Sequence, residues 1–67
     1  MRAYYAHPTA VVESDDIGEG TRIWHFAHLR EGSRIGKECN IGKSCYIDTG
    51  AKIGDRVKIQ NFVSVYR

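Results

Sequence analysis

Imidazole and amide side chains recur in this sequence at intervals that could bring them together in space. His7 and His25 are separated by three steps of a six-residue repeat, and Asn61, preceded by Gln60, lies six further steps along the chain. Histidine titrates near neutral pH and is the usual general base where an amine or a hydroxyl must lose a proton. Amides cannot act as bases, but they can donate to a thioester oxygen or hold an amide group on a sugar. These residue types suit acyl transfer, provided that the fold stacks residues at this spacing.

The six-residue repeat supplies that stacking. An apolar residue recurs at Tyr5, Val11, Ile17, Ile23, Leu29, Ile35, Ile41, Ile47, Ile53, Ile59 and Val65. The residue four places after each is small or β-branched, except for Asp15, whose carboxylate suits an inward position least. A period of six fits neither an α-helix nor the alternation of one long strand. It predicts a coil of three short strands per turn, each with one small and one large side chain inward, and with the large aliphatic positions from Ile17 to Ile59 buried.

Residues three repeats apart should then stack on successive coils, one strand spacing of about 4.8 Å from each other. Glycine marks one predicted corner at Gly18, Gly36 and Gly54, where the chain must turn. Another corner stacks His7, His25, Lys43 and Asn61, with Trp24, Phe26 and Gln60 beside them. We call this set the histidine corner. It is the best candidate site, because its aromatic, imidazole and amide groups replace simple turn residues.

Each candidate also has a structural explanation. His25 either acts in a ligand site or is a neighbour of a subunit contact, and His7, near the chain end, is expected to be structural. Trp24 and Phe26 either stack on a nucleotide base or form contacts between subunits of a trimer. His28 should project from a neighbouring face, stacked with Tyr46 and Ser64. Cys39 and Cys45 are expected to fill the core. Arg22, Asn40 and Lys58 are expected to lie on a sheet surface that faces solvent or another subunit.

The Ile-Gly-x-x-small-x pattern over residues 5–67 resembles the hexapeptide-repeat acyltransferases, which implies a left-handed parallel β-helix of a little over three coils. The segments Tyr5–Val12, Thr21–His28 and Val57–Tyr66 are most similar to UDP-2-acetamido-3-amino-2,3-dideoxy-glucuronate N-acetyltransferases, which act in O-antigen biosynthesis. The resemblance implies acetyl-CoA as co-substrate, a UDP-sugar acceptor and a homotrimer with active sites between subunits. His25 would be the catalytic base, and Trp24, Phe26, His28, Gln60 and Asn61 would bind substrate.

Two features depart from that family pattern. The family usually has asparagine where this chain has Phe62, and an acidic residue where it has Arg67. The family also has further coils, including those that bind coenzyme A. We therefore expect residues 1–67 to be a single β-helix domain from the N-terminal part of a longer enzyme, inactive by itself.

Composition excludes other classes of protein. The formal net charge is only +2 and no basic stripe carries interleaved aromatics, so nucleic acid is not expected as a partner. No apolar run approaches the length of a membrane span, and no signal peptide begins the sequence. The two cysteines are too few for a disulfide scaffold. These features predict a cytoplasmic protein with reduced thiols.

Two other functions fit the same repeat. A non-catalytic β-helix could serve as an oligomerisation or scaffold unit, with its open coil end as the functional feature. A zinc-dependent hydratase of this fold would use histidines from adjacent subunits. His25 should project from a corner and His28 from a flat face, so their side chains would not converge on one metal ion. No metal site is therefore predicted. We expect a side-by-side trimer, which contact between the open ends can double into a dimer of trimers.

Overall fold

The computed structural model describes residues 3–67 and contains eleven strands of two residues each. The strands are β1 (Tyr5–Ala6), β2 (Val11–Val12), β3 (Asp16–Ile17), β4 (Arg22–Ile23), β5 (His28–Leu29), β6 (Arg34–Ile35), β7 (Asn40–Ile41), β8 (Tyr46–Ile47), β9 (Lys52–Ile53), β10 (Lys58–Ile59) and β11 (Ser64–Val65). Within this range there is no helix that could cross a membrane.

Every third strand pairs in parallel, so the chain forms a β-helix of about three turns with three flat faces. Sheet A has the order β1-β4-β7-β10, sheet B the order β2-β5-β8-β11 and sheet C the order β3-β6-β9. The large aliphatic residues of the repeat point into the space that the sheets enclose, and Ile23, Leu29, Ile41 and Ile47 are completely buried. The all-β fold predicted from the six-residue period is confirmed.

The predicted frame is wrong for the first coil by one residue. Val11 pairs with His28 and Asp16 pairs with Arg34, so β2 and β3 stack on β5 and β6. Residues 13–15 connect β2 to β3, whereas residues 30–33 connect β5 to β6. The corner of the first coil is therefore one residue shorter than the corner stacked on it. As a result, the inward positions of the first coil belong to the residues that follow Tyr5 and Val11.

The shorter corner changes which first-coil residues face inward. Tyr5 and Val11 were expected inside, but their side chains are 45% and 51% exposed. Ala6 and Val12 pack against the core in their place. Asp15 is also exposed, which removes the difficulty of placing a carboxylate in the small-residue position.

Ser14 takes the inward position that the predicted frame gave to Asp15. Its buried hydroxyl donates to the carbonyl of Ser33 at 2.6 Å and accepts from the amide of Asp16 at 3.1 Å. A serine can occupy this position because both hydrogen-bonding roles of its hydroxyl are satisfied.

Two of the eight aliphatic residues predicted to be buried are only half-buried. Ile17 and Ile53 belong to β3 and β9, the two outer strands of the three-stranded sheet C. Each therefore has a covering strand on one side only, whereas Ile35 between them is 3% exposed. The prediction was wrong at Ile17 and Ile53 because the repeat marks orientation, while an outer strand leaves these two side chains partly uncovered.

Buried donors in the small-residue positions connect successive coils. Thr21 donates from its hydroxyl to the carbonyl of Gly36 at 2.7 Å. The thiols of Cys39 and Cys45 donate to the carbonyls of Gly54 and Gln60 at 3.0 and 2.9 Å. Each of these bonds reaches the next coil. Both cysteines are therefore part of the core, as their position in the repeat predicted.

The corner glycines have a different role from the one predicted. Gly18, Gly36, Gly42 and Gly54 do not have a positive φ. Positive φ occurs two residues later in the repeat, at Gly20, Phe26, Gly32, Glu38, Ser44, Gly50, Arg56 and Phe62. A Cβ on Gly18 would lie 2.5 Å from the backbone carbon of Gly36, so this glycine is required by the close approach of two coils.

Candidate functional site

The histidine corner lies between sheets A and B, where the chain passes from β4 to β5. His25 is exposed there, and its ring stacks on that of His7 with a centroid distance of 3.6 Å and an interplanar angle of 22°. Trp24 and Phe26 flank it, each with a centroid distance of 6.5 Å. The structure therefore brings these four rings together at one corner.

His7 does not occupy the same turn position as His25, because the first coil is shifted by one residue. The backbone amide of His7 donates to the carbonyl of Ile23, which aligns His7 with Trp24 instead. The imidazole nevertheless reaches the face of His25. The expectation of a structural role for His7 agrees with its contacts, which hold one face of the His25 ring.

Thr9 fixes the orientation of His7. Its backbone amide donates to Nδ1 of His7 at 3.2 Å, and its hydroxyl oxygen lies 2.9 Å from the same nitrogen. The same hydroxyl accepts from the backbone amide of Phe26 at 3.0 Å. Since Nδ1 of His7 accepts from the amide, its ring proton is assigned to Nε2. The side-chain nitrogens of His25, by contrast, form no hydrogen bond with residues 3–67, so the unprotonated nitrogen of the neutral ring is open to a ligand.

Trp24 is held rigidly at the edge of the corner. Its indole Nε1 donates to Oδ1 of Asn40 at 2.9 Å, and its ring is tilted against that of Tyr5 with a centroid distance of 5.5 Å. Asn40 was assigned to the sheet surface from the sequence, and this bond shows that it also positions the tryptophan. Tyr5 joins the cluster because it faces outward in the observed frame.

Asn61 has a structural bond in addition to any ligand role. Its Oδ1 accepts from the backbone amide of Lys43 at 2.9 Å, and Asp55 makes the same bond to the amide of Lys37 at another corner. The repetition identifies this bond as a device that ties one coil to the next. The NH₂ group of Asn61 makes no hydrogen bond with residues 3–67 and remains available to a substrate. Gln60 is exposed and its amide makes no hydrogen bond with the described residues.

The structure does not place His28 in the histidine corner. It lies on β5 in sheet B, stacked with Tyr46 as predicted, and its Nε2 is 3.1 Å from Oε1 of Glu13. The same carboxylate oxygen lies 3.5 Å from Nε of Arg30. A role for His28 in substrate binding stays a prediction, and it would require a ligand that extends around the corner onto sheet B.

A polar network surrounds His28 that the sequence analysis did not identify. Arg30 donates to the hydroxyl of Tyr46 at 2.9 Å, and that hydroxyl donates to Asp48 at 3.2 Å. The hydrogen bond to Tyr46 is the largest cause that raises the pKa of Arg30, with smaller contributions from Glu13 and Asp48. A search for opposite charges on successive coils would have paired Glu13 with Arg30, had the shorter corner been known.

Residues 3–67 contain no group of three or more histidine, cysteine or acidic side chains arranged to hold a metal ion. The rings of His7 and His25 stack on each other face to face, and His28 pairs with Glu13. A zinc site made within one chain is therefore not supported by the side chains that the structure describes.

Comparison with known proteins identifies the repeat independently. The sequence matches the family described as bacterial transferase hexapeptide (six repeats) over residues 16–49 and 32–67. It is 49% identical over 37 residues, 55% of this chain, to a dTDP-3-amino-3,6-dideoxy-alpha-D-galactopyranose 3-N-acetyltransferase of Aneurinibacillus thermoaerophilus. It is 30% identical over 60 residues, 88% of this chain, to an acyl-acyl-carrier-protein–UDP-N-acetylglucosamine O-acyltransferase of Brucella ovis. The matched segments are 19% and 22% of these two relatives, so the chain spans about a fifth of their length.

Proposed function

Because this chain belongs to the bacterial transferase hexapeptide family, we propose that it provides acceptor-binding coils of an acetyl-CoA-dependent N-acetyltransferase. Its substrate would be the amino group of a nucleotide-linked sugar, used in the biosynthesis of a surface polysaccharide such as O-antigen. The observation that carries the proposal is the His25 imidazole, which is exposed, stacked on His7 and without a side-chain hydrogen bond to residues 3–67. The name of the Aneurinibacillus relative, a sugar 3-N-acetyltransferase, supports the same reaction class.

In the proposed reaction, the amine nitrogen of the sugar attacks the thioester carbonyl of acetyl-CoA. A nitrogen–carbon bond forms, the carbon–sulfur bond breaks, and coenzyme A leaves as the thiolate, which then takes up a proton from the imidazolium or from solvent. His25 accepts the proton that the amine loses, which is the role of a general base in acyl transfer. The stack on His7 limits the orientations of the His25 ring, so part of the acceleration comes from positioning.

The remaining corner residues would hold the acceptor. Trp24 is fixed by Asn40 and presents an indole surface suited to a base or a sugar ring. Gln60 and the NH₂ group of Asn61 can donate to carbonyl oxygens of the acceptor. Acetyl-CoA would bind on coils that follow these in the family. The active site would be completed by a neighbouring subunit of a trimer.

The proposal is tested with His25→Ala in the protein with every coil that its gene encodes. Acetyl transfer is measured as release of coenzyme A thiol with an amino-sugar nucleotide as acceptor. We expect kcat to fall by about 10²–10⁴-fold, the usual contribution of a general base, with the oligomer intact by light scattering.

Lys37→Ala is the matched control, since Lys37 occupies the same position of the repeat at another corner and is exposed. It should keep wild-type turnover. Near-normal turnover in His25→Ala, or a loss that follows dissociation of the oligomer, would refute the catalytic role. Absence of acetyl transfer with any amino-sugar nucleotide would refute the N-acetyltransferase assignment.

A further inference from the structure

A shallow cationic groove runs along the outer surface of sheet A, next to the histidine corner. Arg22, Asn40 and Lys58 come from β4, β7 and β10, and strand pairing places them in one column. Arg56 and Gln60 lie on either side of Lys58, and the groove has a volume of about 620 Å³. That volume lies within the range of small-molecule sites in proteins.

The cations of this groove have no counter-ion among the described residues. Arg22, Arg56 and Lys58 are exposed and make no ion pair or side-chain hydrogen bond within residues 3–67. Elsewhere on the surface, Arg30 and Arg34 each face a carboxylate. Positive groups gathered in one cleft without a partner create a local potential that attracts anions.

The acidic residue in the groove does not neutralise it. Glu38 lines the same space, but it forms no ion pair with the three cations, which leaves an excess of two positive charges among the four charged lining residues. A ligand with at least two negative charges would balance this excess. A single carboxylate would not.

Two amides connect the groove to the histidine corner. Asn40 accepts from the Trp24 indole through Oδ1, so its NH₂ group remains free to donate into the groove. Gln60 lines the groove and also belongs to the corner. A ligand bound along sheet A can therefore pass over Gln60 towards His25 without crossing another element.

We propose that this groove binds the diphosphate of a nucleotide or coenzyme. The inference deepens the proposed function and rests on it for the identity of the attached group. Arg22 and Lys58 are two strand spacings apart, about 10 Å between their backbones, and their long side chains can converge on an anion above Asn40. Arg22 and Arg56 each offer the planar fork that pairs with phosphate oxygens, while Lys58 contributes a point charge.

Two sources share this chemistry. The names of the two relatives contain a dTDP-linked and a UDP-linked sugar, and the proposed co-substrate, acetyl-CoA, also contains a diphosphate. In the first case the sugar would reach the histidine corner. In the second case the pantetheine arm would reach it, and the coenzyme would then bind these coils instead of the later coils that the family resemblance implies. UDP and coenzyme A, used as separate probes, distinguish the two sources.

Isothermal titration is carried out on the protein with every coil that its gene encodes, with UDP, UMP and coenzyme A in turn. Arg56→Gln and Lys58→Gln should each weaken binding of the diphosphate ligand by about tenfold, as expected for one lost charge-assisted hydrogen bond. Lys52→Gln is the matched control, because Lys52 is an exposed cation on β9 of sheet C. It should change the dissociation constant by less than about twofold, the scale of a weak surface electrostatic effect.

The probe whose binding depends on Arg56 and Lys58 identifies the source of the diphosphate. Equal weakening by Lys52→Gln, equal affinity for UMP and UDP, or unchanged binding of both UDP and coenzyme A in the groove variants would overturn the proposal. These outcomes are independent of the turnover test. If His25→Ala loses turnover while the groove variants bind as the wild type does, the diphosphate site is refuted and the N-acetyltransferase assignment stands. If His25→Ala keeps its turnover while the groove variants lose binding, the catalytic role of His25 is refuted and the diphosphate site stands.

Discussion

At the residue scale, the two histidines of the histidine corner have different roles: His7 orients the neighbouring ring, and His25 is the candidate general base. His7 is bonded to Thr9, and its ring covers one face of His25. The ring nitrogens of His25 form no hydrogen bond with any side chain or backbone group that the structure describes. The sequence could indicate His25, because a spacing of three repeats and a residue type suffice for that. The role of Thr9 could not be predicted, since it depends on a first-coil shift that brings this side chain beneath Phe26.

Substitution of a corner glycine by alanine tests whether the close approach of two coils requires glycine there. In Gly18→Ala the added Cβ would lie 2.5 to 2.6 Å from three backbone atoms of Gly36 and Lys37, which cannot move without displacing a coil. Overpacking of this kind costs about 1–3 kcal/mol. We expect the free energy of unfolding, measured by urea titration of the 67-residue chain, to fall by that amount.

Gly54→Ala is the control, because an added Cβ there meets nothing within 4 Å and its φ is not positive. Alanine should be neutral or stabilise the chain by up to about 1 kcal/mol through the unfolded state. Equal losses of stability at Gly18 and Gly54 would show that backbone flexibility, rather than the close approach of coils, determines the use of glycine.

At the scale of the element, each corner from residue 18 onwards is a short turn that contains one residue with positive φ. Glycine satisfies this requirement at Gly20, Gly32 and Gly50, while Phe26 and Phe62 adopt φ values of 61° and 64°. A large side chain is disfavoured in this conformation by about 1–2 kcal/mol, and asparagine tolerates it better. The asparagine that the family usually has at the position of Phe62 therefore has a physical basis in the turn, and Phe62 departs from it at a cost.

We expect Phe62→Asn to stabilise the chain by about 0.5–1 kcal/mol. The change relieves the turn and exposes little apolar surface, since Phe62 is already 71% exposed. The contact of Lys43 Nζ with the Phe62 ring, 5.6 Å from the centroid, would be lost at a cost of about 0.5 kcal/mol. Thermal unfolding followed by circular dichroism should show a higher Tm.

Phe62→Ala separates the turn from the aromatic ring. Alanine keeps the Cβ that disfavours positive φ, so it should bring no gain in stability. A lower Tm in both variants would mean that the Phe62 ring contributes more by packing than its backbone conformation costs.

For the whole molecule, the repeat predicts more than it would in an ordinary globular domain. The period specified the parallel stacking, the enclosed aliphatic core and the buried thiols, because each coil repeats the same environment. It did not specify the shorter corner at residues 13–15, since the six-residue pattern of Val11 and Ile17 continues across it in the sequence. The cationic groove was also missed, because Arg56 reaches it from a turn and not from the sheet column.

The molecule as a whole should associate. Small chains bury a modest fraction of their surface, and three flat faces give each protomer broad surfaces for packing side by side. Light scattering at micromolar concentration should therefore report three times the 7.6 kDa mass of the chain, or six times if open ends also meet. A mass of 7.6 kDa under these conditions would refute the trimer.

The shorter corner between β2 and β3 also bears on how such a protein can acquire a new surface. When a corner has one residue fewer, the side chains of the strands before it exchange their inward and outward positions. The strands after it keep the register of the six-residue repeat. Tyr5 thereby lies beside Trp24, and Ala6 takes its place inside. A deletion can thus exchange the exposed and enclosed residues of a whole coil without a single substitution. Descent within such proteins is best compared coil by coil, because one continuous six-letter frame assigns the wrong residues to the outside.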